Sequence, residues 1–427
     1  MKVKKGLLAA AISISLVVIT PTAQATNGME PTGLGQIHKA MGGATVGNPQ
    51  NTTTMMSNPA AASFVADGYD AGAEIFQPNR IATSSLPTGF GPGGTEYEGD
   101  AASAFLIPEA AYKRDKGRYS FGLAMWGNGG MNTSYKPDSP LFPTGAPAPN
   151  DFAPFNGGAP STTGIDLKQL FIAPTISTKL NDNHSVGLSV NLVYQRFHAT
   201  GIQAFQGDPR ANPTDLQAFQ DPGTDTSFGI GATIGWMGKL SDTFTMGASY
   251  RLKTDMSEFD KYSGLFEGGG DLDIPAALTI GASVKVTPKT TVAVDVKQIY
   301  YSDVGAIGNS ASAGGLGADG GAGFGWEDQT IFKIGMKTQA TPKLALMAGY
   351  NKGSSPVGPE DTFFGVLAPG VVEDHLSLGF EYSLSKKSSL IGHYRHAFSN
   401  TVNGDAMNPF NLEMDQNTIG LAYSKKF

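Results

Sequence analysis

"SVGLSVNLVY", residues 185–194, is the stretch on which the fold turns. Val186, Leu188, Val190, Leu192 and Tyr194 alternate with Gly187, Ser189 and Asn191. Period 2 sends the two sets to opposite faces of an extended strand. One face suits lipid; the other suits an aqueous or glycine-lined interior. The pattern recurs in "FTMGASYRL" (244–252), where Phe244, Met246, Ala248, Tyr250 and Leu252 alternate with Thr245, Gly247, Ser249 and Arg251. It recurs again in "HLSLGFEYSL" (375–384), where Leu376, Leu378, Phe380, Tyr382 and Leu384 alternate with Ser377, Gly379, Glu381 and Ser383. From residue 68 onward the chain repeats this unit, in runs of roughly 11 to 15 residues.

The connections alternate too. Short turns fall at Asp115-Lys116-Gly117, Asn181-Asp182-Asn183, Ser241-Asp242, Pro288-Lys289, Pro342-Lys343 and Lys386-Lys387. Long connections lie near 83–101, 131–163, 201–224, 258–272, 303–327, 353–370 and 400–412. Six turns and seven loops join fourteen strands, an even number with short and long connections on opposite sides. A run of about 13 residues at about 3.3 Å per residue, tilted about 40°, rises roughly 33 Å, enough to cross hydrocarbon. A soluble sandwich would use strands of about 5 or 6 residues. The expected fold is all-β and transmembrane, a 14-stranded antiparallel outer-membrane β-barrel over residues 68–427.

Both ends agree with this. Lys2, Lys4 and Lys5 form a basic start, Leu7 to Ile19 an apolar core, and Ala23-Gln24-Ala25 an A-x-A cleavage site. Residues 1–25 therefore read as a signal peptide, with Thr26 as the mature start. Losing those lysines takes the formal charge of −7 three units lower. Such an acidic chain has no basic field for phosphates, which excludes nucleic acid as a partner. With no cysteine there is no disulfide framework, no thiolate chemistry and no lipidated N-terminal cysteine. Past the signal no apolar run is long enough for a transmembrane helix. At the other end, in "TIGLAYSKKF" (418–427), Ile419, Leu421, Tyr423 and Phe427 share one face. A final amphipathic strand ending in Phe resembles the signal that barrel-assembly machinery recognises.

Residues 26–67 remain. The part "MGGATVGNPQNTTTMMSNPAAA" (41–62) has neither period 2 nor a helical stripe, few charges and many glycines. A fourteen-stranded lumen is wider than its own side chains fill. The segment has the right size to be a compact N-terminal hatch, or plug, inside that lumen. Asn58-Pro59 favours a turn within it.

"TNGMEPTGLGQIHKAMGGATVG" (26–47) followed by "NPAA" (58–61) resembles the start of the outer-membrane long-chain fatty-acid transporter family, which includes toluene and xylene uptake proteins (FadL/TodX/OmpP1 type). The resemblance continues in "DIPAALTIGASVK" (273–285), "SPVGPED" (355–361), "LAPGVVEDHLSLGFEY" (367–382) and the last strand. It implies a hatch-plugged barrel for passive uptake of hydrophobic molecules, fatty acids or aromatic and aliphatic hydrocarbons. Cargo would be captured outside, held in an internal apolar pocket, and released sideways through the wall. The resemblance further implies gating at Asn58, Pro59 and Ala60, and a lateral opening at an inward kink of the third strand, here residues 118–130. Gly127, Asn128, Gly129 and Gly130 would permit that kink.

For capture, the loop 131–163 offers Tyr135, Leu141, Phe142, Phe152 and Phe155, and these same aromatics could instead pack loops together. For a headgroup, Arg251, Lys297, Lys333 and Arg395 fall on lumen parity, whereas Arg196 lies near the rim with outward parity unless a bulge intervenes. Such charges also commonly pair across the lumen. The expected partners are a hydrophobic small molecule, outer-membrane lipid and lipopolysaccharide, and the barrel-assembly machinery. The chain is expected to act as a monomer, without cofactor or metal, and not as an enzyme. "GHYRHAFSN" places His393 and His396 near Ser399, but alternation puts the two histidines on opposite faces. A general diffusion porin and an adhesin or phage receptor are the alternatives.

Overall fold

The computed structural model describes residues 27–85, 93–100, 103–128, 130–135, 162–203, 211 and 215–427. The signal peptide, Gly129, Leu141, Phe142, Phe152 and Phe155 lie outside them. The wall strands are β1 (Gly68–Ser84), β2 (Phe105–Lys116), β3 (Tyr119–Asn128), β4 (Gly164–Lys179), β5 (His184–Thr200), β6 (Asp225–Lys239) and β7 (Phe244–Arg251). They continue as β8 (Ala277–Thr287), β9 (Thr290–Ile299), β10 (Gln329–Gln339), β11 (Leu344–Gly353), β12 (Asp374–Ser385), β13 (Ser388–Val402) and β14 (Phe410–Lys426). Each pairs antiparallel with its sequence neighbours, and β14 closes on β1 from Gly68–Lys426 to Ser84–Phe410. Two short segments, Glu96–Glu98 and Asp255–Met256, add to the outer ends of β1 and β6. This is the closed fourteen-strand barrel that the alternation predicts.

The two faces follow the sequence pattern. Leu188 and Leu192 are 41% and 45% exposed on the outer face, while Ser185, Ser189 and Asn191 of the same strand are buried. Closure leaves no strand edge and satisfies the backbone within the wall, as hydrocarbon requires.

Residues 27–66 pack against lumen-facing residues of the wall. They hold one helical turn, Gln36–Lys39, and two 3₁₀ turns, Thr52–Met56 and Pro59–Ser63. Little regular structure means many backbone amides need other partners. Wall carboxylates supply several of them. Glu109 accepts from the amides of Gly35 (3.1 Å) and Gln36 (2.7 Å), Asp70 from Thr52 (3.0 Å), and Asp295 from Thr45 (2.7 Å) and Val46 (3.1 Å).

Wall glycines make the room. Three cross-strand pairs, Gly187–Gly235, Gly247–Gly281 and Gly335–Gly349, put flat notches on the lumen face. A Cβ on Gly235 would stand 2.1 Å from Asn58 Oδ1, one on Gly247 2.0 Å from the Val46 carbonyl oxygen, and one on Gly349 2.1 Å from the Gly42 nitrogen. No side chain fits at those distances, so the plug backbone lies directly on the wall.

At the long-loop end the connections fold over the bore into one apolar cluster that includes Phe197, Phe219, Phe259, Tyr262, Tyr301, Trp326 and Phe410. Tyr301 reaches from it to the plug's first residues, donating to the Asn27 carbonyl (2.6 Å) and accepting from the Met29 amide (3.1 Å). Gly28 sits between at φ 60°, where a Cβ would lie 2.5 Å from the Tyr301 hydroxyl.

Candidate functional site

Among the cavities lined by described residues, two bear on a route through the barrel. The inner one, about 70 Å³, is bounded by the plug and by opposite sides of the wall. Trp126 and Asn128 of β3, with Leu34 and Met56 of the plug, form one side. Across from them stand Arg251 of β7, Lys297 of β9 and Lys333 of β10, with Asp295 beside them. Strand alternation brings these cations inward, and the register steps them by two residues from Arg251 to Lys297 and again from Lys297 to Lys333.

The structure thus brings together Arg251, Lys297, Lys333 and Asn128, four residues singled out from sequence. It also engages the cations with the plug. Arg251 and Lys297 both pair with the Glu30 carboxylate, and Lys333 donates to the Thr32 carbonyl (2.7 Å). Arg395 binds the hydroxyls of Thr32 (2.5 Å) and Thr418 (3.0 Å), away from the cavity lining. Arg196 keeps its outward parity because β5 runs without a bulge against β4 and β6. Its expected headgroup role therefore has no support in its placement: the side chain lies on the outer face.

Glu30 and Lys39 are the buried ion-pair anchors of the plug. Lys39 pairs with Glu74 (3.0 Å) and Glu109 (3.2 Å) of β1 and β2. Burial alone would raise the Glu30 pKa, but the attraction of Arg251 and Lys297 outweighs it and holds it at about 2. A carboxyl depressed in the folded state stabilises above its ordinary value, and that contribution is lost as pH falls toward the depressed one. The Glu30 contacts are therefore expected to persist from pH 8 to 5 and to loosen only between about pH 4 and 2. Hydrogen exchange of residues 27–35, corrected for intrinsic rate, checks this; opening already at pH 6 contradicts it.

The second cavity, about 40 Å³, lies among the outer loops and is almost wholly apolar. Phe266, Leu316, Phe324, Phe364 and Leu367 line it with Ile165, Phe197 and Ile202. Sequence reading placed the capture surface in loop 131–163, of which Leu141, Phe142, Phe152 and Phe155 lie outside the described residues. Tyr135 of that loop is buried, and its hydroxyl donates to the Val366 carbonyl (2.8 Å), so it packs one loop on another. Scattered aromatics in "SGLF", "GAGFGW" and "DTFFG" were the available signal, but nothing local says that three separate loops converge.

The wall beside the inner cavity has a seam. β2 and β3 pair from Lys116–Tyr119 only as far as Glu109–Trp126. Beyond that, Phe105–Pro108 pair with β1 alone, and Gly127 and Asn128 with β4 alone. At the position of the expected kink β3 keeps an unshifted register against β4, with no bulge, while its pairing with β2 ends at Glu109–Trp126. Trp126, Gly127 and Asn128 are three consecutive buried residues, so the lipid/lumen alternation ends there. Pro108, lacking an N–H, sits where the ladder stops. Ile107, Phe105 and Phe76 form a small apolar cluster on the inner side of this seam.

Comparison with known proteins fits this architecture. The family model for "Outer membrane protein transport protein (OMPP1/FadL/TodX)" matches residues 15–426. The chain belongs to that family. Family membership locates the barrel in the outer membrane. No curated protein matches the sequence. Among solved structures, the Pseudomonas putida toluene transporter TodX is similar at 19% identity and TM-score 0.69, covering 93% of this chain and 99% of that one. The Ralstonia pickettii toluene transporter TbuX gives 19% and 0.64, covering 93% and 99%. A Pseudomonas aeruginosa FadL homologue gives 16% and 0.64, covering 96% and 99%. At these identities the likeness is one of fold. For this member of the OMPP1/FadL/TodX family, the cavities, plug contacts and seam are its own evidence about function.

Proposed function

We propose that the protein carries hydrophobic molecules, long-chain fatty acids or aromatic and aliphatic hydrocarbons, passively across the outer membrane. Cargo enters the apolar loop cavity near Phe266 and Phe324, moves to the inner cavity, and leaves sideways at the β2–β3 seam. The observation that carries this reading is the one-sided end of the β2–β3 ladder directly beside Trp126 and Asn128 of the inner cavity. Threading a sixteen-carbon chain through water would expose it at about 0.8 kcal/mol per methylene, on the order of 12 kcal/mol. A sideways route into lipid avoids that exposure. The plug's contact with the wall all around the bore speaks against a general diffusion porin.

The turn at Asn58, Pro59 and Ala60 is the proposed gate. Asn58 Nδ2 donates to the carbonyls of Val46 (2.8 Å) and Trp236 (3.0 Å), while its Oδ1 accepts from the Ala60 amide (3.1 Å). One side chain thus joins two plug segments to β6. Replacing Asn58 and Pro59 by Ala is expected to reduce uptake of radiolabelled hexadecanoate and toluene several-fold at unchanged surface amounts, and unchanged uptake counts against the gate. Cells lacking the protein set the baseline. Equal uptake with and without the wild-type protein would remove the carrier reading itself.

A further inference from the structure

We propose that Arg251 and Lys297 form a receptor for the carboxylate of an amphipathic acid, and that the plug's own Glu30 occupies it as an internal competitor. This deepens the carrier reading and rests on it. The geometry is that of a bound carboxylate: Arg251 Nη2 donates to Oε1 of Glu30 and Lys297 Nζ to Oε2. One cation serves each oxygen, an arrangement that any monocarboxylate reproduces. Glu30 is 1% exposed, whereas the Arg251 and Lys297 side chains keep 15% and 14% of their surface open. That surface borders the inner cavity.

Charge supports the exchange. Lys333 also lines the cavity, where it donates to the Thr32 carbonyl and faces Asp295 across the ladder, and Asp295 in turn accepts from the Thr45 and Val46 amides; three cations therefore face two carboxylates, Glu30 and Asp295. Across the cavity, Leu34, Met56 and Trp126 offer an apolar surface for a chain. Glu30 itself belongs to an irregular segment fixed at its start through Tyr301 and continuing into the turn that Glu109 caps at the seam. An incoming carboxylate takes over both cations, and Glu30 moves off with its segment. Acids then bind only the fraction of molecules whose Glu30 is withdrawn, so their apparent affinity is reduced by that fraction. Neutral cargo, which makes no use of the cations, escapes the competition. Glu30 therefore sets discrimination between acids and neutral hydrocarbons.

The test compares hexadecanoate with hexadecanol, identical in chain and different in head, on the full-length protein in detergent by calorimetric titration. Glu30→Gln is expected to tighten hexadecanoate by about tenfold or more and to leave hexadecanol within about twofold. Lys297→Met is expected to weaken hexadecanoate by about tenfold and spare hexadecanol. Heat-modifiable gel migration verifies that each variant is an intact barrel. Equal shifts for both probes, or none, in Glu30→Gln overturn the inference and leave the carrier reading standing. Binding of neither probe to any form overturns both.

Discussion

Removing residues 27–66 is expected to leave an assembled barrel that passes small sugars at least tenfold faster than the intact protein in liposome swelling. The wall closes on itself through β1 and β14 without help from the plug. Its inner face without the plug is polar, with Glu74, Glu109, Asp295, Arg251, Lys297, Lys333 and Arg395 available for hydration. A fourteen-strand bore lined this way holds water. Gly235→Val is the graded version, because a Cβ there meets Asn58 at 2.1 Å and the neighbouring wall cannot retreat. Overpacking of this kind costs about 1–3 kcal/mol, which raises the population of molecules with the 45–62 segment lifted by roughly five- to 150-fold. Limited proteolysis of that segment reports it. Slow sugar permeation through the plug-deleted barrel would mean that something other than residues 27–66 closes the bore.

Locking the seam is expected to stop transport reversibly. The chain has no cysteine, so an introduced pair is unambiguous. Ile107 and Gly127 are the positions to use: an ideal Cβ on Gly127 lies 3.0 Å from Cγ2 of Ile107. That matches the separation of about 3 Å between a Cβ and the far sulfur of a disulfide. Oxidised Ile107→Cys/Gly127→Cys protein should take up hydrophobic cargo at least tenfold more slowly, and reductant should restore it. Each single-cysteine protein should be insensitive to reductant. Full uptake with the bridge shown closed by mass spectrometry would place the exit elsewhere. The seam is weak for identifiable reasons. Pro108 cannot donate across it, Gly127 has no side chain to pack, and the ladder beyond Glu109–Trp126 is absent.

The distance between sequence and structure is clearest at particular residues. Gly187, Gly235, Gly247 and Gly281 are legible in sequence as lumen-parity glycines, but only the folded chain pairs them across strands under Val46, Gly47, Asn58 and Pro59. Arg251, Lys297 and Lys333 are legible as inward cations, and their period-2 positions are correct. That two of them meet Glu30, more than 200 residues away in sequence, is not. Glu30 and Lys39 look like incidental charges in an apolar stretch, yet each is buried between wall groups of opposite sign. The capture surface was sought in the loop richest in aromatics. Of that loop's singled-out residues only Tyr135 is among the described ones, and the apolar cavity seen among the outer loops is lined by Phe266, Phe324 and Phe364 of three other loops.

The sequence by itself determined the wall. Period 2 over fourteen runs, alternating short and long connections, and the need to satisfy every backbone group in lipid leave a closed barrel as the consistent solution. Only the tertiary structure decided where the plug rests, which charges it neutralises and where the wall parts. Those depend on pairings between residues hundreds of positions apart, and no local periodicity encodes them.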